Sequence, residues 1–340
     1  MAFEISGTGR AIPARRVTND ELAKKIDTSD EWIRSHTGIG TRHIADDDCA
    51  SSDLGLEAAK QALTMAEPQK TLADAALSVD IIVLATATPD FLGAPSTACI
   101  VQDKLGAKNA AAMDVTAGCT GFIYALETAA GILSIDNMKK RALVIGAEIL
   151  TKFTDWTDRG SCVLFGDGAA AVVMDKTDAP RDGAGRKGLI RTVLRADGSG
   201  AGHLYFDRGG SRAPYKIGET IEKPTHIVMN GQAVYNFAVK ALTDSVKDLL
   251  RLDNISIDDV AFIIPHQANA RIVQAAAKRL KAPEEKIYLN IEQYANTSAA
   301  SIPIALDELN RSGKLKQGDI ILTIGFGGGL TYGGNLLVWS

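Results

Sequence analysis

Apolar runs of strand length alternate along the chain with stretches of helical period. Continuous apolar runs, typical of strands that are buried on both faces, cover residues 79–85, 141–145, 260–264 and 319–324. Apolar residues that return every three or four positions, as in a helix with one buried face, occur over residues 53–65, 121–132, 233–250 and 268–280. This alternation predicts an α/β fold. Residues 182–223, which are rich in Gly, Arg and polar side chains, indicate a strand pair with a long exposed loop.

The two halves of the chain carry similar landmarks in the same order. The landmarks are an acidic residue before a strand, the start of a helix, a polar or reactive residue before a second helix, and a strand that ends in glycine. In the first half they are Asp80, residues 98–102, Cys119 and Gly146, and in the second half Asp259, residues 270–274, Asn296 and Gly325. The order predicts a duplicated unit with halves 1–180 and 181–340. Chance similarity between two α/β halves is the alternative.

Composition and charge narrow the class of protein. With 340 residues, 46% of them hydrophobic and 23% charged, the chain has the make-up of a globular protein with one large domain or two. A net charge of −4 argues against a nucleic-acid partner. No apolar run is expected to reach the roughly 18 residues that span a bilayer. The start of the chain lacks the pattern of a signal peptide, so we expect a cytoplasmic protein without a membrane partner.

The spacing of the cysteines matches neither a zinc site nor a disulfide framework. The chain has four of them, at positions 49, 99, 119 and 162, and reduced thiols are the expected state. Most free cysteines are small buried hydrophobic residues. Cys119 differs because small residues flank it and an amphipathic helix follows at once. The positive end of the helix dipole is expected to lower the pKa of this thiol and to favour the nucleophilic thiolate.

Two further polar residues stand at the starts of predicted helices. His266 lies where a buried strand ends, and ligands bind at the carboxyl ends of strands in open α/β sheets. Asn296 occupies the corresponding place in the second half. A helix-capping role is the structural alternative for each of them.

The glycine-rich segment 325–329 is not a phosphate-binding loop. Residues 335–339 after it read as a strand, whereas both common phosphate motifs require a helix there. Glycines can instead bring a backbone N–H close to a reacting carbonyl. Together with Cys119 as nucleophile and with His266 and Asn296 as hydrogen-bond donors, this segment suits a condensation of two acyl thioesters.

Two functions of other classes compete with condensation. Cysteine hydrolases of the papain type also have Cys, His and Asn in this order, but their local signature around the cysteine is absent. An inactive protein that only binds acyl thioesters is the second alternative. The presence of all three reactive residue types argues against it.

Motifs along nearly the whole chain carry a family resemblance. They are residues 28–33 (TSDEWI), 37–39 (TGI), the turn at Cys119, 158–160 (DRG), 165–169 (FGDGA), 265–269 (PHQAN), 296–301 (NTSAAS) and 326–329 (FGGG). In this order and spacing they resemble β-ketoacyl-acyl carrier protein synthase III, the condensing enzymes that start fatty-acid synthesis. Thiolases need a second reactive cysteine near the C-terminus, and none follows Cys162. Elongating synthases have a histidine where this chain has Asn296. The motifs do not exclude specialised members of the family that make quinolones or long-chain ketones.

The resemblance implies a thiolase-like fold of two duplicated halves in five layers, α-β-α-β-α, and a homodimer. It implies acyl-coenzyme A and malonyl-acyl carrier protein as substrates, with no separate cofactor and no metal. The catalytic set that it implies is Cys119, His266 and Asn296, with an oxyanion hole formed by the N–H groups of Cys119 and Gly328. The positions that match its coenzyme A site are Thr28, Trp32, Arg159, Gly231 and Asn269, with the adenine between Trp32 and Arg159.

The resemblance also directs attention to a basic helix face. Arg271, Lys278 and Arg279 share one side of the helix after His266. A solvated face is the ordinary interpretation, whereas the resemblance implies docking of the acidic carrier protein.

Two positions depart from the family pattern. His36 stands where an arginine is frequent, with Arg34 nearby. Ala94 stands where acetyl-specific members often have a phenylalanine that closes the partner subunit's acyl pocket. We therefore expect longer primers to fit, unless Phe91 or Leu92 fills the space.

Overall fold

The computed structural model describes residues 1–180, 183 and 185–340. Residue 181, where the second half is predicted to begin, and Asp182, where the exposed loop is predicted to begin, lie outside the described residues. The boundary between the halves therefore stays a prediction.

The strands and helices have the following bounds. The strands are β1 (Ala2–Ala11), β2 (Arg15–Thr18), β3 (Thr41–Ile44), β4 (Ile81–Ala85), β5 (Ala111–Val115), β6 (Arg141–Ile149), β7 (Asp167–Thr177), β8 (Gly188–Ala196), β9 (Leu204–Phe206), β10 (Ile227–Met229), β11 (Val260–Pro265), β12 (Ile320–Gly327) and β13 (Thr331–Val338). The helices are α1 (Asn19–Ala23), α2 (Asp30–Thr37), α3 (Ser51–Ala66), α4 (Leu72–Leu77), α5 (Thr97–Leu105), α6 (Gly121–Ile135), α7 (Arg159–Cys162), α8 (Gly231–Leu252), α9 (Ala270–Leu280), α10 (Ile291–Tyr294) and α11 (Ser301–Arg311).

The main sheet shows the same strand connectivity twice. Its order is β11-β12-β13-β8-β1-β7-β6-β4-β5. In the first half β4 pairs in parallel with β5 and β6, and β7 and β1 follow in antiparallel orientation. In the second half β11 pairs in parallel with β12 and with a bridge at Ile287, and β13 and β8 follow in antiparallel orientation. The two halves meet where Phe3 of β1 pairs with Gly188 of β8. The predicted duplication is confirmed.

Helices α6 and α11 form the central layer. Their apolar residues share one core with both halves of the sheet, for example Phe122 and Leu126 from α6 and Ile302 and Leu306 from α11. Helices α3 and α5 cover the outer face of the first half, and α8 and α9 cover that of the second. The result is the five-layer α-β-α-β-α arrangement. Because α6 and α11 occupy equivalent places, the segments that precede them, which carry Cys119 and Asn296, meet at the centre.

The predicted apolar runs correspond to β4, β6, β11 and β12, and the predicted helices to α3, α6, α8 and α9. Two strands continue beyond the glycine that was predicted to end them, β6 to Ile149 and β12 to Gly327. In β6 the reason is a close contact between layers rather than a turn. A Cβ at Gly146 would lie 2.5 Å from the carbonyl oxygen of Ala299, so glycine is needed there within the strand.

One segment is more apolar than expected. Residues Gly118–Ile135 are long and apolar enough by length and composition to cross a membrane, whereas the sequence was expected to contain no such run. The structure explains the composition, because α6 packs between the two halves and side chains such as Phe122, Leu126 and Leu133 are fully buried. A helix that is buried by protein around most of its circumference is apolar around most of it.

The described part of the predicted exposed-loop region contains β8 and β9 as well as a loop. Strand β8 belongs to the main sheet, and β9 pairs with β10 in a small antiparallel hairpin. Residues 207–226 connect β9 to β10, and Ile217 and Ile221 within them are exposed.

Candidate active site

A cavity of about 430 Å³ lies between the two halves. Cys119, His266, Asn296 and Gly328 all line it, although they come from four separate segments of the chain. The β9–β10 hairpin supplies part of an apolar wall, through Leu204, Phe206, Ile227 and Met229. The structure thus brings together the reactive residues that the sequence singled out.

Cys119 sits in a tight turn that is packed against the glycine-rich segment. The turn is a 3-10 helix, Gly118–Thr120, that leads directly into α6. Gly118 has φ +53°, and a Cβ there would lie 2.6 Å from the backbone nitrogen of Gly328. A Cβ at Gly327 would lie 2.4 Å from the backbone nitrogen of Cys119. Only glycine fits at these contacts, which place the N–H groups of Cys119 and Gly328 in adjacent backbone segments.

The thiol of Cys119 is harder to ionise than the sequence suggested. Burial raises the pKa of Cys119 to about 12, and the nearby Glu148 carboxylate acts in the same direction. A hydrogen bond with the Ser298 side chain opposes the rise. Cys119 as a residue keeps some accessible surface, but protein atoms surround its thiol. The expected lowering by the helix dipole is a local effect, and burial outweighs it, so the thiol is protonated at neutral pH.

His266 is neutral and held in one orientation. The residue follows the end of β11, is 1% exposed, and donates its backbone N–H to Ile324 at 2.7 Å. Burial lowers the pKa of His266 to about 3, so the imidazole carries no charge at neutral pH. Its ring packs edge-on against Phe326 with 5.4 Å between centroids. Asn269, not His266, caps α9, which removes the capping alternative.

Ser301 can act as a hydrogen-bond donor to one ring nitrogen of His266. Nδ1 of His266 lies 2.7 Å from Oγ of Ser301, and the same oxygen accepts the backbone N–H of Gln267 at 3.3 Å. The hydroxyl of Ser301 is therefore free to donate its hydrogen to Nδ1. A neutral imidazole that accepts at Nδ1 carries its proton on Nε2. His266 is thus set up as a hydrogen-bond donor through Nε2.

Asn296 is fixed by its backbone and by one side of its amide. Its N–H donates to Leu164 at 2.9 Å, and its carbonyl accepts from Gly166 at 3.1 Å. The side-chain Oδ1 accepts the N–H of Ser298 at 2.9 Å, which leaves the Nδ2 hydrogens as donors for the cavity. The N-cap of α11 is Ala300, so Asn296 does not serve as the cap of that helix.

Comparison with known proteins agrees with this geometry. Residues 113–201 match the family described as 3-oxoacyl-(acyl-carrier-protein) synthase III, and residues 250–339 match its C-terminal part. Over its full length the chain is 47% identical to the β-ketoacyl-(acyl-carrier-protein) synthase III of Caldanaerobacter subterraneus subsp. tengcongensis. It is 48% identical to the protein of the same name from Syntrophomonas wolfei. Each match covers 98% of the relative. The chain belongs to the β-ketoacyl-acyl carrier protein synthase III family.

The fold of this synthase III family member is confirmed by a solved structure. The 3-oxoacyl-(acyl-carrier-protein) synthase III of Aquifex aeolicus matches with a TM-score of 0.87 and 40% identity, covering 99% of this chain and all of the other. The predicted thiolase-like fold is therefore confirmed.

At the mouth of the cavity, the indole of Trp32 contacts a guanidinium and an imidazole ring. The guanidinium of Arg159 is 4.8 Å from the centroid of the indole, and the ring of His36 stacks on it at 4.4 Å with an interplanar angle of 18°. Trp32, His36, Gly231 and Asn269 line the cavity. Arg34 does not replace the missing family arginine, because it pairs with Asp30 at 2.9 Å and Glu292 at 2.7 Å beside a different cavity.

Other predicted residues lie outside the cavity lining. Thr28 is half-buried, and its Oγ1 has no hydrogen-bond partner among the described residues. Ala94 is exposed in the loop between β4 and α5. The basic residues Arg271, Lys278 and Arg279 are exposed on α9.

Sequence reasoning missed three polar residues beside the reactive groups. Ser298 and Ser301 stood inside a matching motif, but only the fold shows that they contact Cys119 and His266. Glu148 is a fully buried carboxylate in β6. Its signal was available, since it is a charged residue next to an apolar run that was predicted to be a buried strand.

Alkylation of Cys119 by iodoacetamide should keep accelerating as the pH rises from about 7 to about 10. With a pKa of about 12 the thiolate fraction still grows tenfold per pH unit in this range, whereas a thiol of ordinary pKa, about 8.5, levels off. The rate is measured by mass spectrometry of the peptide that contains Cys119, with Cys119→Ser as the blank. A plateau below about pH 8 would show that the helix dipole, not burial, controls this thiol.

Proposed function

We propose that the protein is a β-ketoacyl-acyl carrier protein synthase III that condenses an acyl-coenzyme A primer with malonyl-acyl carrier protein and releases CO2. The observation that carries the proposal is the meeting, in one cavity, of Cys119 with two neutral hydrogen-bond donors, Nε2 of His266 and Nδ2 of Asn296. The family of the chain supports the same reaction.

The first half of the reaction loads the enzyme. The Cys119 sulfur attacks the thioester carbonyl and loses its proton, the carbonyl oxygen becomes an oxyanion, and coenzyme A leaves with that proton. The N–H groups of Cys119 and Gly328 are placed to stabilise the oxyanion. Among the described residues, nothing accepts the N–H of Gly328, so this donor is available to a ligand.

The second half of the reaction forms the carbon–carbon bond. The malonyl group loses CO2 and leaves an enolate, whose oxygen is stabilised by the donors of His266 and Asn296. The enolate carbon attacks the acyl group on Cys119, and the thiol regains a proton when the β-ketoacyl product departs. A neutral histidine suits this donor role, since stabilising an enolate requires an N–H and no proton transfer.

The electrostatics of the site disfavour a hydrolase. A papain-type hydrolase needs, in addition to acylation, a histidine that accepts the proton of the water that attacks the acyl-enzyme, and an efficient general base has a pKa near the working pH. Burial holds the pKa of His266 at about 3, far below that range. His266 therefore cannot serve as the general base that a hydrolase would require.

Coenzyme A is proposed to enter at the mouth beside Trp32. An adenine would insert between the indole and Arg159, whose guanidinium lies 4.8 Å from the centroid of the ring and has to move aside. Gly231 and Asn269 then line the path inward, and Thr28, with an unpaired buried hydroxyl, offers a further polar contact. Asn269 also caps α9 and donates to the carbonyl of His36 at 3.1 Å. It therefore links α9 to the segment that contains His36 in the wall of the cavity. The coenzyme is a substrate in this proposal, and no separate cofactor takes part.

Mass spectrometry with acetyl-coenzyme A tests the reaction. Wild type and Cys99→Ala, which removes an exposed cysteine, should form an acyl adduct that malonyl-acyl carrier protein discharges. Cys119→Ala should form none. His266→Ala and Asn296→Ala should still acylate but condense about 100-fold more slowly, since each loses one donor to developing charge. Rapid loss of the adduct to water would indicate a hydrolase, and no adduct in wild type a binding protein.

The exposed face of α9 is proposed to dock the carrier protein. Arg271, Lys278 and Arg279 are exposed, and within the described ranges none of them forms a salt bridge. Unpaired cations near the cavity mouth can steer an acidic partner. The helix also begins beside Asn269 of the cavity wall.

Arg271→Glu should raise the KM for malonyl-acyl carrier protein severalfold and leave the KM for acetyl-coenzyme A unchanged. The reversed charge repels an acidic protein, and the effect should shrink at high salt. Lys60→Glu, on the opposite outer layer in α3, is the matched control and should change neither value. Equal changes for both substrates would count against docking at this face.

The protein is proposed to act as a cytoplasmic homodimer. Strand β5 is an edge of the main sheet, and its Met113 is 38% exposed. An open strand edge with apolar side chains is a surface for pairing with another strand. The loop that contains Ala94 leads into α5, which packs on β5, so pairing at this edge would bring Ala94 close to the second subunit.

Ala94 is proposed to leave the acyl pocket of the partner subunit long enough for primers of roughly four to eight carbons. Each methylene of the primer that is buried in this pocket would contribute about 0.8 kcal/mol to binding. Octanoyl-coenzyme A should be used well relative to acetyl-coenzyme A, judged by the ratio of kcat/KM, and Ala94→Phe should shift this ratio towards acetyl. The protein assayed should sediment with the mass of two chains. A wild type restricted to acetyl-coenzyme A, or an unchanged ratio in the variant, contradicts the proposal; Phe91 or Leu92 filling the space would produce the first result.

A further inference from the structure

Glu148 is a carboxylate buried in the middle of the protein. It lies in β6 and is 0% exposed. A buried carboxylate is costly unless hydrogen bonds replace its hydration. In the part of the chain that the structure describes, no Lys or Arg forms a salt bridge with it. The desolvation cost of this carboxylate suggests that Glu148 has a role other than packing.

The hydrogen bonds of Glu148 join the two halves of the protein. From the first half it accepts the N–H groups of Ala87 (3.0 Å) and Thr88 (3.2 Å) and the hydroxyls of Thr88 (2.8 Å) and Thr86 (3.3 Å). From the second half it accepts the N–H of Ala299 at 3.4 Å. All of these groups donate, which is the pattern that a carboxylate satisfies and an amide cannot.

The contact from the second half leads directly to the reactive residues. Ala299 follows Ser298, whose N–H fixes Oδ1 of Asn296 at 2.9 Å. Ser298 has φ +47°, a conformation that a side chain other than glycine adopts only when its surroundings hold it. The Ser298 side chain also lies close enough to Glu148 and Cys119 to lower the pKa of both groups. Gly146, two residues before Glu148, allows the close approach of Ala299 to β6.

We propose that Glu148 is a positioning residue for the decarboxylation step, because it holds the Ser298–Ala299 segment in the place where the Asn296 amide points its donors into the cavity. The inference rests on the function proposed above. Glu148 does not touch the substrates in this arrangement and acts through Ser298 and Ala299. A displacement of reacting groups by about 1 Å can slow a reaction by about 100-fold.

The two steps of the reaction should respond differently to loss of the charge. Without the carboxylate the Asn296 donors lose their fixed position, so decarboxylation should slow. Acylation should not slow in parallel, since the negative charge of Glu148 makes ionisation of Cys119 harder. A purely structural role would lower both steps together.

The test measures both steps in Glu148→Gln. Acylation is followed by intact-protein mass after mixing with acetyl-coenzyme A, and decarboxylation by CO2 release from malonyl-acyl carrier protein on the pre-acylated enzyme. The glutamine should reduce decarboxylation by about 100-fold and keep acylation within a few-fold of wild type. Glu148→Asp, which retains the carboxylate, should recover part of the lost rate. If the glutamine variant does not fold, Glu148→Asp is tested in its place. Its decarboxylation should then be slowed more than its acylation, but by a smaller factor than is expected for glutamine.

Asp307→Asn is the matched control. Asp307 is also a fully buried carboxylate, but its partners Thr8, Arg10 and Arg311 lie away from the cavity. It should show no split between the two steps. Equal loss of both steps in the Glu148 variants, unchanged decarboxylation, or the same split in Asp307→Asn would overturn the inference. A wild type that forms no adduct on Cys119 would instead overturn the proposed function.

Discussion

The structure depends on one packing constraint, which is that two largely buried helices, α6 and α11, are shared by two copies of the same unit. Each half needs to cover the inner face of its strands, and α6 and α11 together do this for both. The turns before these helices are therefore forced to the same place. Cys119 of one half and Asn296 of the other meet because the hydrophobic core leaves them no other position.

Burial governs the chemistry of the site as strongly as it governs the fold. It keeps the thiol of Cys119 protonated and the imidazole of His266 uncharged, and it raises the pKa of Glu148. In such a place hydrogen bonds, rather than ion pairs, position the groups, and each one is stronger than it would be in water. A site that stabilises charge only while it develops on the substrate benefits when the groups that contact the substrate are themselves neutral.

Much of the fold, and the residues that meet in the candidate site, could be predicted from the sequence for physical reasons. Strands buried on both faces must be apolar throughout, so β4, β6, β11 and β12 were visible as runs. The ends of β6 and β12 were misplaced because Gly146 and Gly325 look like turn glycines, although Gly146 is required for contact with another layer.

Properties that arise only from tertiary packing could not be predicted. The dipole of α6 can be inferred from neighbouring residues, but the desolvation of Cys119 depends on segments distant in the chain. The contacts of Ser301 with His266 and of Ser298 with Glu148 likewise join residues from different elements. The sequence shows which residue types are present, and their protonation and orientation depend on what surrounds them.

The glycine contacts around Cys119 have a consequence for how the site could change. Because a Cβ at Gly118 or Gly327 would collide with backbone atoms, the donors supplied by these segments belong to the main chain and no side-chain replacement can redirect them. An inhibitor that made its main contacts with the N–H groups of Cys119 and Gly328 would face a surface that point mutation can hardly alter. Resistance would have to arise in the mouth or in the hairpin wall, where side chains define the shape.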